Sequence, residues 1–118
     1  MKEVEFMIRT NMYAETKKRL AENGFFAFSS KEVLGRGRGN AIFELEDASD
    51  ESKETVQPVL IATRLIVVWV ADDQVDELVK IIIDTNKTGS PGDGKIFVSS
   101  VEGGYRIRTG ERGEDIVL

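Results

Sequence analysis

The sequence contains no cysteine and no histidine among its 118 residues. Without cysteine there is no disulfide, no thiolate metal site and no cysteine nucleophile. Without histidine the commonest general base and metal ligand is missing, so any catalysis has to use carboxylates, lysines or hydroxyls. The sequence also lacks an apolar run long enough to span a membrane, and charges occupy Lys2, Glu3 and Glu5, where a signal peptide has apolar residues. These absences favour a cytoplasmic protein with no membrane span.

The formal net charge is −5, and it is concentrated in one segment. Lys53 is the only base in a stretch with the following acidic residues: Glu44, Glu46, Asp47, Asp50, Glu51 and Glu54. We therefore predict a mobile acidic loop at about residues 37–58 that contacts a partner protein; the alternative is a solvated hairpin tip with no partner. No basic stripe with interleaved aromatic residues is present, which argues against nucleic-acid binding.

Hydrophobic patterning predicts the element order β-α-β-loop-β-α-β within a single domain of residues 1–118, with residues 102–118 as a C-terminal segment. Strands are expected around Phe6, from Phe25 to Leu34, from Val59 to Ala71, and from Lys95 to Val101. The helices between them carry two apolar stripes, the second being Val75, Leu78, Val79, Ile82 and Ile83. This order predicts an α+β, ferredoxin-like sandwich: an antiparallel sheet with both helices on one face.

The predicted strands are too apolar for either face of such a sheet to be left in water. Phe6, Leu65, Val67 and Trp69 are the residues on which this expectation rests. Because two helices cover only one face, we expect the protein to form an oligomer.

Residues 88–95, the glycine turn, form the stretch best suited to bind a ligand. Gly89, Gly92 and Gly94 allow the backbone to approach a ligand closely, and successive N–H groups in such a turn can bind an anion. Lys95 adds a positive charge, and Arg106 and Arg108 supply two guanidinium groups further on. We interpret this set as a phosphate site; the alternative is a tight turn with scattered surface charges.

The same region resembles the C-terminal signature of the PII nitrogen-regulatory signal-transduction family. The matching runs are Thr88-x-x-x-Gly92-Asp93-Gly94-Lys95-Ile96-Phe97-Val98-x-x-Val101 and Arg106-Ile107-Arg108-Thr109-Gly110-Glu111. The resemblance implies a homotrimer whose sheets face inward and whose inter-subunit clefts bind ATP or ADP. It also implies nucleotide-binding roles, which fall on these residues: Ser29, Gly35, Gly37, Arg38, Gly92, Asp93, Gly94, Lys95, Arg106 and Arg108. In the family, Ser29 corresponds to a contact with adenine, and Gly35, Gly37 and Arg38 open the long T-loop.

The sequence departs from the family pattern where PII proteins bind Mg²⁺ and 2-oxoglutarate. Gly39 replaces the usual glutamine, Thr63 the usual lysine, and Val67 a common glutamate. We therefore expect adenine-nucleotide binding with weak or no binding of Mg²⁺ and 2-oxoglutarate; Arg38 and Arg64 are the cations that could substitute. The tyrosine that other family members modify is also missing from the segment between Gly37 and Pro58.

The resemblance predicts a non-enzymatic regulator that controls a target protein through its T-loop, in nitrogen metabolism. The Val33–Gly37 hinge and the Gly113–Ile116 run look most like the PII variants linked to nitrogen fixation. Three alternatives stay open: a PII-like sensor of AMP or another metabolite outside nitrogen control, a weak nucleotide hydrolase with Asp93 as its base, and a structural trimer with a vestigial site.

Overall fold

The computed structural model describes residues 1–36, 60–113 and 116, and every structural statement below refers to them. Four strands and two helices follow the predicted order, each helix being preceded by a short 3-10 turn. The elements are β1 (Lys2–Arg9), α1 (Tyr13–Glu22), β2 (Ser29–Arg36), β3 (Leu60–Val70), α2 (Val75–Asn86) and β4 (Lys95–Ser100). The predicted mobile loop at 37–58 lies outside the described residues.

The four strands form one sheet in the order β2-β3-β1-β4, and all three pairings are antiparallel. The register places Phe6 of β1 opposite Ile66 of β3 on one side and Ile96 of β4 on the other. The α+β ferredoxin-like prediction is therefore confirmed.

The core lies between the sheet and the two helices, as strand alternation requires. Val4, Phe6 and Ile8 of β1 are buried, and so are the β3 residues that share their face: Ile66, Val68 and Val70. Leu20 of α1 and Leu78 and Ile82 of α2 are buried against them.

Helix α1 ends in a Schellman motif, which explains why β2 begins later than predicted. Gly24 has a φ of 88°, and the amides of Gly24 and Phe25 donate to the carbonyls of Ala21 and Leu20. Phe25 is buried beside the end of the helix, and β2 starts only at Ser29. The prediction of a strand beginning at Phe25 is thus wrong, because residues 25–28 carry the chain from the helix layer to the sheet.

The core-facing stripe of α2 is rotated slightly from the predicted one. Ile81 is buried, whereas Ile83 is 45% exposed. A polar pair links the two helices on this side: Asn86 Nδ2 donates to the Thr16 hydroxyl at 3.1 Å and to the Ile82 carbonyl at 3.0 Å. Both side chains are buried, so Asn86 belongs to the core-facing side of α2 and Ile83 lies outside it.

The sheet face opposite the helices, called here the open face, carries apolar side chains that one chain leaves accessible. Leu65 and Val67 are partly buried there, Trp69 is 45% exposed and Phe97 is 55% exposed. Phe6 lies on the helix face, where it is fully buried. No helix in the described part of the chain is long and apolar enough to cross a membrane.

Candidate functional site

The glycine turn is organised around the carboxylate of Asp93. Asp93 Oδ1 accepts a hydrogen bond from Arg9 Nη1 at 2.7 Å and another from the Thr88 hydroxyl. Asp93 Oδ2 accepts from the amides of Thr88 at 2.7 Å and Gly89 at 2.9 Å. Both carboxylate oxygens are thus used to close the turn on itself and to tie it to the end of β1.

Each glycine of the turn has its own structural reason. Gly94 has a φ of 115°, and a Cβ there would lie 2.0 Å from the Met7 carbonyl oxygen. A Cβ at Gly92 would lie 2.7 Å from Arg9 Nη2. Gly89 has open space around it and is required for its φ of 87°. The turn therefore lies directly against the backbone and side chains of β1.

The hydrogen bonds from Thr88, followed by that from Arg9, hold the pKa of Asp93 well below its usual range. A carboxylate with such a low pKa is a poor proton acceptor near neutral pH. The arrangement therefore suits Asp93 to shape the turn rather than to act as a general base.

An apolar groove adjoins the glycine turn on the helix side of the sheet. It has a volume of about 160 Å³ and is lined by Met7, Ile8, Ile82, Ile83, Asn86, Lys87, Asp93, Gly94, Lys95 and Ile96. Lys95 is exposed at the first position of β4, where it pairs with Met7. The turn thus presents backbone and a cation beside apolar surface.

Arg106 and Arg108 belong to a separate C-terminal hairpin (residues 104–113). Its turn is closed by the Arg106 amide donating to the Glu111 carbonyl and the Gly110 amide donating to the Arg106 carbonyl, both at 2.7 Å. Arg106 Nη1 also lies 3.4 Å from Glu111 Oε2, whereas Arg108 is exposed.

The predicted site residues fall into three places within one chain. Gly92, Asp93, Gly94 and Lys95 lie together at the end of the sheet where β1 stops. Ser29 lies on β2, the edge strand on the other side of the sheet, which is three strand spacings or about 14 Å from β4. The C-terminal hairpin follows the opposite end of β4. That end, Ser100, is five residues or about 17 Å along the strand from Lys95.

Gly35 lies near the end of β2, opposite Ile61. This is the same end of the sheet as the glycine turn, because Arg9 of β1 pairs with Thr63 of β3. Gly37 and Arg38 lie outside the described residues.

Comparisons with known proteins agree with the fold and the turn. The family model described as nitrogen regulatory protein P-II matches residues 1–111. The chain belongs to the PII family. A Methanosarcina barkeri protein named nitrogen fixation nifHD1 region GlnB-like protein 2 is 38% identical, with 97% of this chain and 97% of that protein covered. The nitrogen regulatory protein P-II of Haemophilus influenzae is also 38% identical, over 99% of this chain and 100% of that protein.

A solved structure of Arabidopsis thaliana PII bound to citrate superposes with a TM-score of 0.72 at 28% identity. The match covers 97% of this chain and 86% of that chain. The prediction that the chain is a PII protein is confirmed. Several relatives are named for nitrogen-fixation gene regions, which agrees with the resemblance of the Val33–Gly37 hinge to PII variants linked to nitrogen fixation.

The structure describes the surroundings of Thr63, the position at which this PII chain lacks the expected lysine. Thr63 faces the same side of the sheet as its pairing partner Arg9, and Arg64 therefore faces the helix side. The Arg64 guanidinium is stacked 4.3 Å above the ring of Tyr13. Arg64 thus cannot take the place of a cation at Thr63, and the cation that lies beside Thr63 is Arg9.

Sequence reasoning did not identify Arg9 or the Met7 carbonyl as part of this PII turn. Strand alternation places Arg9 on the open face, but only the fold of residues 88–94 brings Asp93 to it. Among the described residues, no group of three or more acidic side chains is arranged to hold a metal ion.

Replacing Gly94 with alanine should destabilise the protein by about 1–3 kcal/mol, because the new Cβ would overlap the Met7 carbonyl and the backbone would be strained. Urea unfolding followed by the fluorescence of Trp69 measures the effect. The control is Gly103→Ala, since Gly103 has no atom within 4 Å of the added Cβ and no positive φ. Equal stability of the two variants would contradict the close contact.

Proposed function

We propose that this PII protein is a non-enzymatic regulator, a single domain of residues 1–118 that binds ATP or ADP between subunits. The observation that carries the proposal is the preformed glycine turn. Its backbone is held against β1 by the Gly94–Met7 contact, and its shape is fixed by the four donors to Asp93. A turn that is already closed binds phosphate oxygens without a further loss of conformational freedom.

The proposed phosphate ligands within one chain are the backbone of Gly92 to Lys95 and the Lys95 ammonium group, and Arg106 and Arg108 of a neighbouring copy complete the set. Lys95 is exposed at the start of β4 and can approach an anion placed on the turn. The apolar groove beside the turn offers Ile83 and Ile96 as surface for a less polar part of the ligand.

The proposed site is completed by other subunits of a homotrimer. Within one chain, Ser29 lies three strand spacings, or about 14 Å, across the sheet from β4, and the C-terminal hairpin follows the end of β4 opposite Lys95. We propose that a neighbouring copy brings the missing groups to the glycine turn of each chain. The apolar open face is the surface that such an assembly would bury.

The proposed output is the loop at 37–58, which we propose controls a target protein of nitrogen metabolism in the cytoplasm. Arg36 and Leu60, which flank this segment, pair with each other at the end of the sheet that carries the glycine turn. The names of the relatives from nitrogen-fixation gene regions support the metabolic assignment. The depressed pKa of Asp93 supports a regulator over a hydrolase, since it removes the candidate base.

The proposed trimer predicts that a charge on the open face will dissociate the protein. Trp69→Asp should shift the molar mass measured by light scattering from three chains to one, because an ionised carboxylate buried between subunits without a partner is strongly unfavourable. Phe26→Asp is the control, since Phe26 is 76% exposed and lies in the segment between α1 and β2. A single-chain mass for the unmodified protein at micromolar concentration would exclude the trimer.

The proposed phosphate contacts predict that Arg108→Ala and Arg106→Ala each weaken ATP and ADP binding about tenfold or more, because a hydrogen bond to a charged group contributes roughly 1.5–3 kcal/mol. Isothermal titration calorimetry measures the affinities. Arg112→Ala removes the same charge from the same hairpin outside the motif and serves as the control. Unchanged affinity in both motif variants would locate the phosphates elsewhere.

The replacement at Thr63 predicts weak or absent binding of 2-oxoglutarate, even with saturating Mg²⁺ and ATP. Arg64 is stacked on Tyr13 on the helix side, and Arg9 is paired with Asp93, so neither is available to a dicarboxylate. Calorimetric titration of 2-oxoglutarate, with Mg²⁺ and ATP present and then omitted, is the measurement. Tight, ATP-dependent binding would contradict this expectation, and Thr63→Lys is the variant expected to increase affinity.

A further inference from the structure

Arg9 is the one side chain of β1 that forms an ion pair with the glycine turn in the described structure. Its Nη1 lies 2.7 Å from Asp93 Oδ1, and the two side chains are 33% and 22% exposed. Arg9 itself is fixed by the β1–β3 ladder, where it pairs with Thr63. The turn is therefore anchored to the sheet through a partly shielded ion pair.

We propose that Arg9 is a positioning residue that holds the Asp93 carboxylate, and through it the glycine turn, in the form that accepts a phosphate-bearing ligand. This inference rests on the proposed nucleotide site. Arg9 acts through Asp93 and is not proposed to contact the nucleotide.

The first effect of Arg9 is on the shape of the turn. Asp93 Oδ2 accepts the amides of Thr88 and Gly89, so the orientation of the carboxylate determines the path of the backbone at these residues. Arg9 fixes that orientation by binding the other oxygen, Oδ1. Without the guanidinium, the carboxylate keeps only partners that belong to the turn itself, and nothing connects its side chain to β1.

The second effect is electrostatic. Asp93 lies between Gly92 and Gly94, so its negative charge stands next to a site proposed for an anion. A carboxylate is ionised at neutral pH, and the depressed pKa of Asp93 favours its charged form further. A carboxylate repels a nearby phosphate, and the Arg9 guanidinium offsets this repulsion by pairing with it. Arg9 thus allows a carboxylate to shape an anion-binding turn.

The guanidinium geometry fits this role better than an ammonium group. While Nη1 binds Asp93, Nη2 lies beneath Gly92, only 2.7 Å from where a Cβ would be. A planar fork fills both positions at once, whereas the lysine ammonium is a single point of charge. The close approach of Arg9 explains why residue 92 is a glycine, since Gly92 has no positive φ that would require one.

The first test compares Arg9→Met, Arg9→Lys and the control Arg19→Met, which removes the same charge from α1. Amide hydrogen exchange of the ligand-free protein is read at Thr88 and Gly89, with Ile82 in α2 as the internal reference. Arg9→Met should speed exchange at Thr88 and Gly89 at least tenfold and leave Ile82 unchanged, and Arg9→Lys should restore part of the protection. Unchanged exchange at Thr88 and Gly89 in Arg9→Met would overturn the proposal.

The same variants are then titrated with ATP. Arg9→Met should weaken binding at least tenfold, Arg9→Lys by less, and Arg19→Met should match the unmodified protein. Faster exchange in Arg9→Met with unchanged ATP affinity would overturn the positioning role while leaving the nucleotide site intact. If the unmodified protein binds no ATP, the proposed function fails, and so does the role of Arg9 toward a ligand. The exchange data show separately whether the ion pair holds the turn.

The second test uses the contact between Gly92 and Arg9. Gly92→Ala should displace the guanidinium and reduce ATP affinity severalfold, but in the Arg9→Met background, where the guanidinium is gone, it should add little. Gly103→Ala, which meets no atom within 4 Å, is the control in both backgrounds. An equal loss from Gly92→Ala in the two backgrounds would show that Gly92 acts independently of Arg9 and would overturn this part of the proposal.

Discussion

A four-stranded sheet has two faces, and this chain provides helices for only one of them. Packing of α1 and α2 against the face that contains Phe6 and Ile66 builds the core and leaves Trp69 and Phe97 accessible on the other. Burying a large apolar side chain contributes roughly 1.5–3 kcal/mol, so covering the open face with further copies of the chain is strongly favourable. The proposed ligand site depends on the same constraint, because it combines groups on the two edge strands and in the C-terminal hairpin from neighbouring copies.

The glycine turn shows how three residues of one type serve three different needs. Gly94 is required by contact with the Met7 backbone, Gly92 by the Arg9 guanidinium, and Gly89 by its own positive φ. Asp93 then closes the turn with both carboxylate oxygens. The sequence motif is thus explained largely by internal packing, and the proposed phosphate site uses the shape that this packing fixes.

Much of the fold could be predicted from alternation and helical spacing, because these patterns report which residues are buried. The boundaries of β2 and the buried stripe of α2 could not, since Phe25 packs beside the end of α1 and Asn86 turns toward Thr16 through tertiary contacts. For the site, the motif located residues 92–95, but the role of Arg9 depends on long-range register and on the fold of the turn. The same register settles the position of Arg64, whose stacking on Tyr13 has no signal in the local sequence.

The proposed division of the site between copies has a thermodynamic consequence. A ligand that binds only where subunits meet stabilises the assembly by mass action, and assembly in turn raises the affinity for the ligand. The ends of β2 and β3 that flank the loop at 37–58 lie at the same end of the sheet as the glycine turn, since Gly35 pairs with Ile61 and Arg9 with Thr63. A nucleotide can change the loop only if it contacts two loop conformations differently. If Asp93 and Arg9 hold the turn as proposed, that difference has to arise in contacts made by the loop, and the turn would make the same phosphate contacts in both loop states.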